Sequence, residues 1–168
     1  MFAPTPLPIC VTGDPVLYQI AAPVTEFDAR LEALAHSAMV TMDAAKGVGI
    51  AAPQIGVSLR FFIVASRANE RYPDAPNMAP VVMVNPCILA ASNELVAGEE
   101  GCLSVPGKRL SILRHQWLDV SWQSLDGETH HARLEGFVAR IFQHELDHLD
   151  GITLLERIER QHKEPVPS

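Results

Sequence analysis

The stretch His144-Glu145-Leu146-Asp147-His148 restricts the fold and the chemistry of this 168-residue chain more than any other part of it. In an α-helix, residues four positions apart lie on one face with Cβ atoms about 6 Å apart, so both imidazoles can bind one metal ion. Glu145, beside the first histidine, can take a proton from water at that metal. The stretch therefore predicts a helix that carries a metal site.

The flanking residues support this helix independently. Phe137 and Ile141 precede the histidines at helical spacing, and Gly136 and Gly151 stand at the two ends. The pattern predicts a central helix over about 136–149 with both histidines on its core-facing side. The alternative is a buried structural histidine pair, but two polar rings would then lie in the core without obvious partners.

A second motif, Glu99–Pro106, contains Cys102. The glycines and the proline of this stretch predict an irregular segment. Two histidines are one ligand short of the three protein ligands of a typical catalytic site, and the thiolate of Cys102 would complete the set. The alternative is a Cys102 nucleophile with a histidine base, which would make the paired histidines redundant.

A third motif runs Gly47-Val48-Gly49-Ile50-Ala51-Ala52-Pro53-Gln54. It lacks the third glycine of a dinucleotide-binding loop and the Lys-Ser/Thr of a phosphate-binding loop. One interpretation is a tight turn with close backbone packing. The other is a backbone that a peptide or ligand approaches, with Gln54 as a polar donor. The local sequence does not separate the two.

The rest of the chain predicts an α+β fold. An N-terminal helix is expected over about 26–45, with Thr25 and Asp28 at its start and Gly47 at its stop. Strands are predicted at residues 59–64, 81–84, 117–125 and 129–134, with a surface loop at 67–80 and a two-residue hairpin turn at Asp126-Gly127. We expect one domain over 1–168, with antiparallel or mixed sheets around the central helix and irregular tails at 1–9 and 160–168.

Composition excludes several classes of protein. Thirteen basic and 20 acidic residues give a net charge of −7, which opposes general nucleic-acid binding and attraction to anionic membranes. The three cysteines, an odd number, do not indicate a disulfide framework. We find no signal peptide and no apolar run of membrane-spanning length. These features predict a cytoplasmic protein.

The three motifs together, in this order and at these intervals, resemble those of the peptide deformylase family. The resemblance covers roughly residues 10–158. It implies an enzyme that removes the formyl group from the N-terminal methionine of new polypeptides and releases formate. It also implies one divalent metal ion, natively Fe²⁺, with zinc, nickel or cobalt as substitutes in preparations.

The resemblance also implies a role for each matched position. The implied roles are metal ligation by Cys102, His144 and His148, proton transfer by Glu145, and oxyanion stabilisation by Gln54 and the backbone N–H of Leu103. Gly49 matches a glycine that aligns the peptide, and Glu100 and Arg109 match positions that support the site. We assign Gly47 to the substrate-binding residues together with Gly49, Glu100 and Arg109.

An apolar pocket near Val48, Phe137 and Ile141 would suit a methionine side chain. Arg140 is harder to explain beside such a pocket, and the sequence leaves open whether it faces solvent or substrate.

The implied partners are N-formyl-methionyl peptides and nascent chains. The net charge of −7 opposes electrostatic contact with the ribosome, and the chain lacks a long basic C-terminal helix found in some family members. Two rival functions remain at this point, a metallopeptidase acting on ordinary peptide bonds and a non-catalytic metal-binding domain. Cys102 in its motif opposes the first, and the presence of Glu145 and Gln54 opposes the second.

Overall fold

A computed structural model describes residues 5–163. Within them, the helices are α1 (Ala29–Ala44), α2 (Gly136–Leu149) and α3 (Leu154–Lys163). The strands are β1 (Gly49–Ala51), β2 (Phe61–Val64), β3 (Val81–Ala91), β4 (Leu95–Cys102), β5 (Val105–His115), β6 (Trp117–Gln123) and β7 (Thr129–Glu135). Short 3₁₀ turns occupy Pro15–Tyr18 and Ala52–Ile55.

The strands form two sheets. A five-stranded sheet has the order β1-β2-β3-β6-β7, and β4 and β5 form a separate two-stranded hairpin. Every pairing between these strands is antiparallel, and one isolated parallel bridge joins Ala22 to Leu59. The α+β prediction is confirmed, and so is the position of the central helix.

Strand β2 lies at the centre of the core because both of its faces are covered. Phe61 and Ile63 belong to an apolar cluster with α1, whereas Phe62 and Val64 belong to a second cluster with α2. Successive strand residues point to opposite faces, so a strand buried on both sides must be continuously apolar. This explains the unbroken apolar run at 61–64.

Helix α1 begins three residues later than expected. The Asp28 carboxylate accepts a hydrogen bond from the Leu31 N–H at 3.0 Å, so Asp28 and not Thr25 is the N-cap. At the other end the Gly47 N–H donates to the Met42 carbonyl at 3.0 Å. Lys46, and not the glycine, adopts the left-handed conformation there, with φ of 57°.

The prediction of an irregular segment at Glu99–Pro106 was wrong. Strand β4 runs through Cys102, the chain turns at Leu103 and Ser104, and β5 begins at Val105. Both Gly98 and Gly101 lie within the strand, and the chain does not turn at either residue. At Gly98 the Arg140 side chain lies too close for a Cβ atom, whereas a Cβ at Gly101 would make only ordinary contacts.

The expected irregular tail at 160–168 also needs correction, because α3 continues through Lys163. The Gln161 side chain accepts from the Leu113 N–H at 2.8 Å, and this bond ties the end of α3 to β5. Leu154 and Ile158 pack with Ile112 on the same hairpin. Residues 5–9 form no helix or strand, while 1–4 and 164–168 lie outside the described residues.

Over residues 5–163, none of the helices combines the length and the apolar character needed to cross a membrane.

Substitution of Phe142 tests the packing of α2 against β2 in the core. Its ring is fully buried and meets Phe62 edge to face, with centroids 5.1 Å apart. We expect Phe142→Ala to lower the free energy of unfolding by about 3–5 kcal/mol, because it leaves a cavity. Denaturant unfolding measures this. Leu89→Ala, at a side chain 58% exposed, should stay within about 0.5 kcal/mol of the original protein. Equal effects of the two substitutions would contradict this account of the core.

Candidate active site

Three potential metal ligands converge at the junction of α2 and the β4–β5 hairpin. The ligand atoms of Cys102, His144 and His148 all lie within 4.8 Å of one another. The Cys102 sulfur is 3.3 Å from Nε2 of His148. Cys102 is the last residue of β4, while the histidines are one turn apart on α2. Two elements that are distant in sequence therefore supply one ligand set.

The chemistry of these donors fits a divalent cation. Burial opposes ionisation of the Cys102 thiol, but the imidazoles of His148 and His144 hold its pKa well below the ordinary 9.0. The lowered pKa favours the thiolate, the form that binds metals. The thiolate in turn raises the pKa of His144 against the effect of burial. A metal ion would provide the positive charge that these ligands otherwise obtain from protons.

Glu100 fixes the orientation of His144. Its Oε1 atom accepts from Nδ1 of His144 at 2.8 Å, which leaves Nε2 of this ring for the ligand set. Both oxygens of Glu100 also accept from Arg114, at 2.8 and 2.9 Å. Burial would raise the pKa of Glu100, but Arg114 and His144 hold it far below its ordinary value. The carboxylate is thus ionised although only 3% of Glu100 is exposed.

The network continues from Arg114 to the C-terminal helix. Arg114 donates to Asp147 at 2.7 Å, and Asp147 accepts two further bonds from Arg157 on α3, at 2.6 and 2.9 Å. Sequence reasoning missed Arg114, Asp147 and Arg157 as parts of the site. These residues lie on different elements, so no local spacing in the sequence could have joined them.

Glu145 lies beside the ligands and is almost fully buried, with 4% exposed. Burial raises its pKa from 4.5 to about 7, and the two imidazoles only partly offset this. Its Oε1 has no hydrogen-bond partner among the described residues. A side chain at Gly49 would place Cβ only 2.7 Å from Oε2 of Glu145. Glycine at this position is therefore required by the close approach of Glu145.

Gln54 has a fixed amide orientation. Its oxygen accepts from the Ala51 N–H at 2.9 Å, and its Nε2 donates to the Ser104 hydroxyl at 3.0 Å. The same Nε2 lies 3.7 Å from the Cys102 sulfur. One amide N–H is thus bound to Ser104, and the other is directed to the ligand set. Ser104, which the sequence did not single out for this, holds the amide in place.

One cavity connects these groups. Most of the residues that the sequence assigned to the site line this cavity. They are Gly47, Val48, Gly49, Gln54, Glu100, Cys102, Leu103, Phe137, Ile141, His144 and Glu145. His148 is not among the lining residues because it is buried behind the other ligands. The cavity therefore combines an apolar wall from α2 with the ligand cluster.

Arg109 lies outside the expected site, and the position of Arg140, which the sequence left open, is now defined. Arg109 does not line the cavity, and its guanidinium instead lies 5.1 Å from the centre of the Tyr72 ring and 3.5 Å from Glu99. Arg140 does line the cavity, and its side chain is only 12% exposed. It therefore does not face solvent.

The loop at 67–80 forms part of the cavity, which the sequence did not predict. Asn69, Arg71 and Tyr72 are among the lining residues. Tyr72 packs against Phe137 with ring centroids 4.5 Å apart, and its hydroxyl donates to the Glu99 carbonyl at 3.3 Å. The loop is thus anchored to both α2 and β4.

These distances define what the site can do. A cation held by Cys102, His144 and His148 would lie next to the buried carboxylate of Glu145 and to the amide donor of Gln54. Such a combination suits hydrolysis of a carbonyl compound. The apolar wall suits a substrate with an apolar side chain.

Comparisons with known proteins agree with this chemistry. The family model described as "Polypeptide deformylase" matches residues 6–164. "Peptide deformylase 2" of Shewanella oneidensis is 58% identical over 152 residues, covering 90% of this chain and 84% of the relative. "Peptide deformylase 2" of Nostoc sp. is 50% identical over 157 residues, which cover 93% of this chain and 88% of the relative.

Solved structures show the same fold. A class I type b peptide deformylase from Acinetobacter baumannii, crystallised with Met-Ala-Ser, superimposes with a TM-score of 0.89 at 49% identity, covering 91% of this chain and 98% of that one. Peptide deformylase from Thermotoga maritima superimposes with a TM-score of 0.82 at 41% identity, covering 90% of this chain and 97% of that one. Matching motifs, ligand geometry, fold and overall sequence lead to one conclusion: this chain belongs to the polypeptide deformylase family, whose members are metal-dependent enzymes.

Proposed function

We propose that this chain hydrolyses the formamide bond of N-formyl-methionyl polypeptides and releases formate, with Glu145 as the proton-transfer residue and Gln54 and Leu103 as oxyanion donors. The observation that carries the proposal is the convergence of Cys102, His144 and His148 beside Glu145 in a cavity with an apolar wall.

The metal would be held by Cys102, His144 and His148. When bound, a divalent ion supplies Lewis-acid chemistry, activating water near neutral pH and polarising the formyl carbonyl. We propose Fe²⁺ as the native ion, on the basis of the family resemblance, and a thiolate-imidazole set also accepts zinc or cobalt.

Glu145 is suited to moving the proton. The carboxylate lies beside the ligand set, where it can accept a proton from the attacking water and donate one to the leaving amine, and burial raises its pKa above the ordinary value. The unpartnered Oε1 atom is free for this exchange. Burial of the side chain keeps bulk water away from the proton.

Negative charge develops on the formyl oxygen as water attacks the carbon. The Gln54 amide, fixed by Ala51 and Ser104, presents its other N–H toward the ligand set without needing to reorganise. Leu103 lies in the turn directly after Cys102 and lines the cavity, where its backbone N–H can serve as a second donor. One such donor is commonly worth about 2.7–4 kcal/mol of transition-state stabilisation.

Substrate recognition is assigned to the remaining cavity residues. Val48, Phe137 and Ile141 provide the apolar surface for the methionine side chain. The short strand β1, which contains Gly49, can align the peptide backbone through main-chain hydrogen bonds. Glu100 acts through His144, and a substrate role for Arg109 stays a prediction because the residue lies outside the cavity wall.

We further propose that the enzyme works in the cytoplasm on nascent chains. A thiolate ligand requires a reducing compartment. The net charge of −7 opposes electrostatic adhesion to ribosomal RNA.

The function can be tested with anaerobically prepared, Fe²⁺-loaded protein and formyl-Met-Ala-Ser, with formate release as the readout. Glu145→Gln should keep the metal and lose at least about 10²-fold in kcat, because the proton acceptor is gone. Glu128→Gln, at an exposed carboxylate in the β6–β7 turn, is the matched control and should not change the rate. Absence of formate from the folded, metal-loaded original protein would refute the proposed function.

Metal removal should abolish turnover without unfolding the chain. We expect a chelator to stop formate release and readdition of Fe²⁺ or Co²⁺ to restore it. Cys102→Ser should weaken metal binding, because an alkoxide forms far less readily than a thiolate and a neutral hydroxyl is a poor ligand. The matched control is Cys87→Ser, at an exposed cysteine. Undiminished turnover in the metal-free protein would contradict the site.

The apolar wall predicts a specific kinetic effect. Phe137→Ala should reduce kcat/KM for formyl-Met-Ala-Ser by about tenfold or more, mainly through KM, because part of the surface for methionine is removed. Leu89→Ala, at an exposed leucine on β3, is the control. A change in kcat with unchanged KM would place Phe137 outside the methionine pocket.

A further inference from the structure

Arg140 links the helix that carries both histidines to the hairpin that carries Cys102. Its Nη1 donates to Oε2 of Glu100 at 2.6 Å and to the Ile112 carbonyl at 2.9 Å. Its Nη2 donates to the Val96 carbonyl at 2.7 Å. One side chain of α2 therefore holds both strands of the hairpin at once.

Gly98 provides the space in which Arg140 lies. A Cβ atom at Gly98 would be 2.8 Å from Cζ, 2.9 Å from Nη2 and 3.0 Å from Nε of Arg140. Nearly equal distances to three atoms of a planar group mean that Gly98 lies against the flat face of the guanidinium. Gly98 is not among the glycines with positive φ. The requirement for glycine therefore comes from Arg140 and not from the backbone conformation.

Burial makes this contact energetically important. The side chains of Arg140 and Glu100 are only 12% and 4% exposed. Hydrogen bonds between ionised groups are stronger than neutral ones, and water screens them little at such sites. Without Arg140, Oε2 of Glu100 would keep only the bond from Nε of Arg114 among the described residues.

We propose that Arg140, seated against Gly98, is a positioning residue for the metal centre. It fixes the carboxylate of Glu100, and Glu100 in turn orients the ring of His144 toward Cys102. It acts by fixing the hairpin against α2, and not by contact with the substrate. This proposal rests on the metal site of the proposed function.

Lysine cannot reproduce the arrangement. An ammonium group can neutralise Glu100, but it lacks the planar fork that reaches Glu100 and two backbone carbonyls simultaneously. We therefore expect Arg140→Lys to bind Co²⁺ more tightly than Arg140→Met but more weakly than the original protein.

The test measures Co²⁺ affinity by competition with a chelator, together with the absorption spectrum of bound Co²⁺. Arg140→Met should bind Co²⁺ about tenfold more weakly, because loss of residues that orient the metal ligands typically weakens metal binding on that scale. Gly98→Ala should weaken binding similarly by displacing the guanidinium. Both variants should alter the Co²⁺ spectrum, which reports ligand geometry.

The double variant distinguishes the proposed contact from two independent effects. If Gly98 matters only because of Arg140, adding Gly98→Ala to Arg140→Met should weaken Co²⁺ binding no further. The matched control is Arg133→Met, which removes an exposed arginine paired with Asp119 on the other sheet. It should leave the affinity and the spectrum unchanged.

Several results would overturn the proposal. Normal Co²⁺ affinity and spectrum in Arg140→Met, with only KM raised, would show that Arg140 acts by contact with the substrate. Losses that multiply in the double variant would also overturn it. If Arg140→Met does not fold, as judged by circular dichroism, Gly98→Ala decides alone, and unchanged affinity in that variant counts against the proposal. Failure of the original protein to release formate would refute the proposed function and leave these affinity results interpretable.

Discussion

The buried carboxylate of Glu100 is the constraint on which the site depends. It receives hydrogen bonds from His144, Arg114 and Arg140, and these donors come from α2 and from β5. A buried carboxylate is costly unless it is paired and hydrogen-bonded, so the three donors must stay where they are. That requirement holds α2 against the hairpin at one spacing and orients the imidazole of His144 toward Cys102. The geometry of the ligand set is therefore a consequence of satisfying one buried charge.

The rest of the fold makes this contact possible. Strand β2 is covered by α1 on one face and by α2 on the other, so α2 has a fixed position relative to the five-stranded sheet. The hairpin does not belong to that sheet, and its place is set by α2, by α3 and by the arginines. Arg157 and Gln161 extend this attachment to the C-terminal helix. The apolar core thus places the histidines, while a polar network places the cysteine.

Sequence reasoning was accurate where the signal was local. The bounds of α2 at 136–149 and the distance between its histidines follow from helical periodicity, which the chain displays in one continuous stretch. The loop at 67–80 follows from the residues that favour such conformations. The turn at Asp126-Gly127 is in the expected place, but the prediction of a two-residue connection was wrong, because residues 124–128 all lie between β6 and β7. The hairpin at 95–115 was missed because its glycines resemble turn residues. Gly98 is there to admit a side chain from α2, 42 positions further along the chain, and no local pattern expresses that.

The sequence by itself determined the chemical identity of the site: two imidazoles at helical spacing, a carboxylate beside them, a cysteine in a distinct motif, and a family resemblance that joins them. Only the tertiary structure decided which other residues support those groups. Arg114 and Arg140 became parts of the site, Tyr72 joined the cavity wall, and Arg109 was placed outside it. The physical reason is that hydrogen bonds and packing act between atoms within a few ångströms, whereas these partners are separated by many residues along the chain. Their proximity arises only when the hairpin closes against α2.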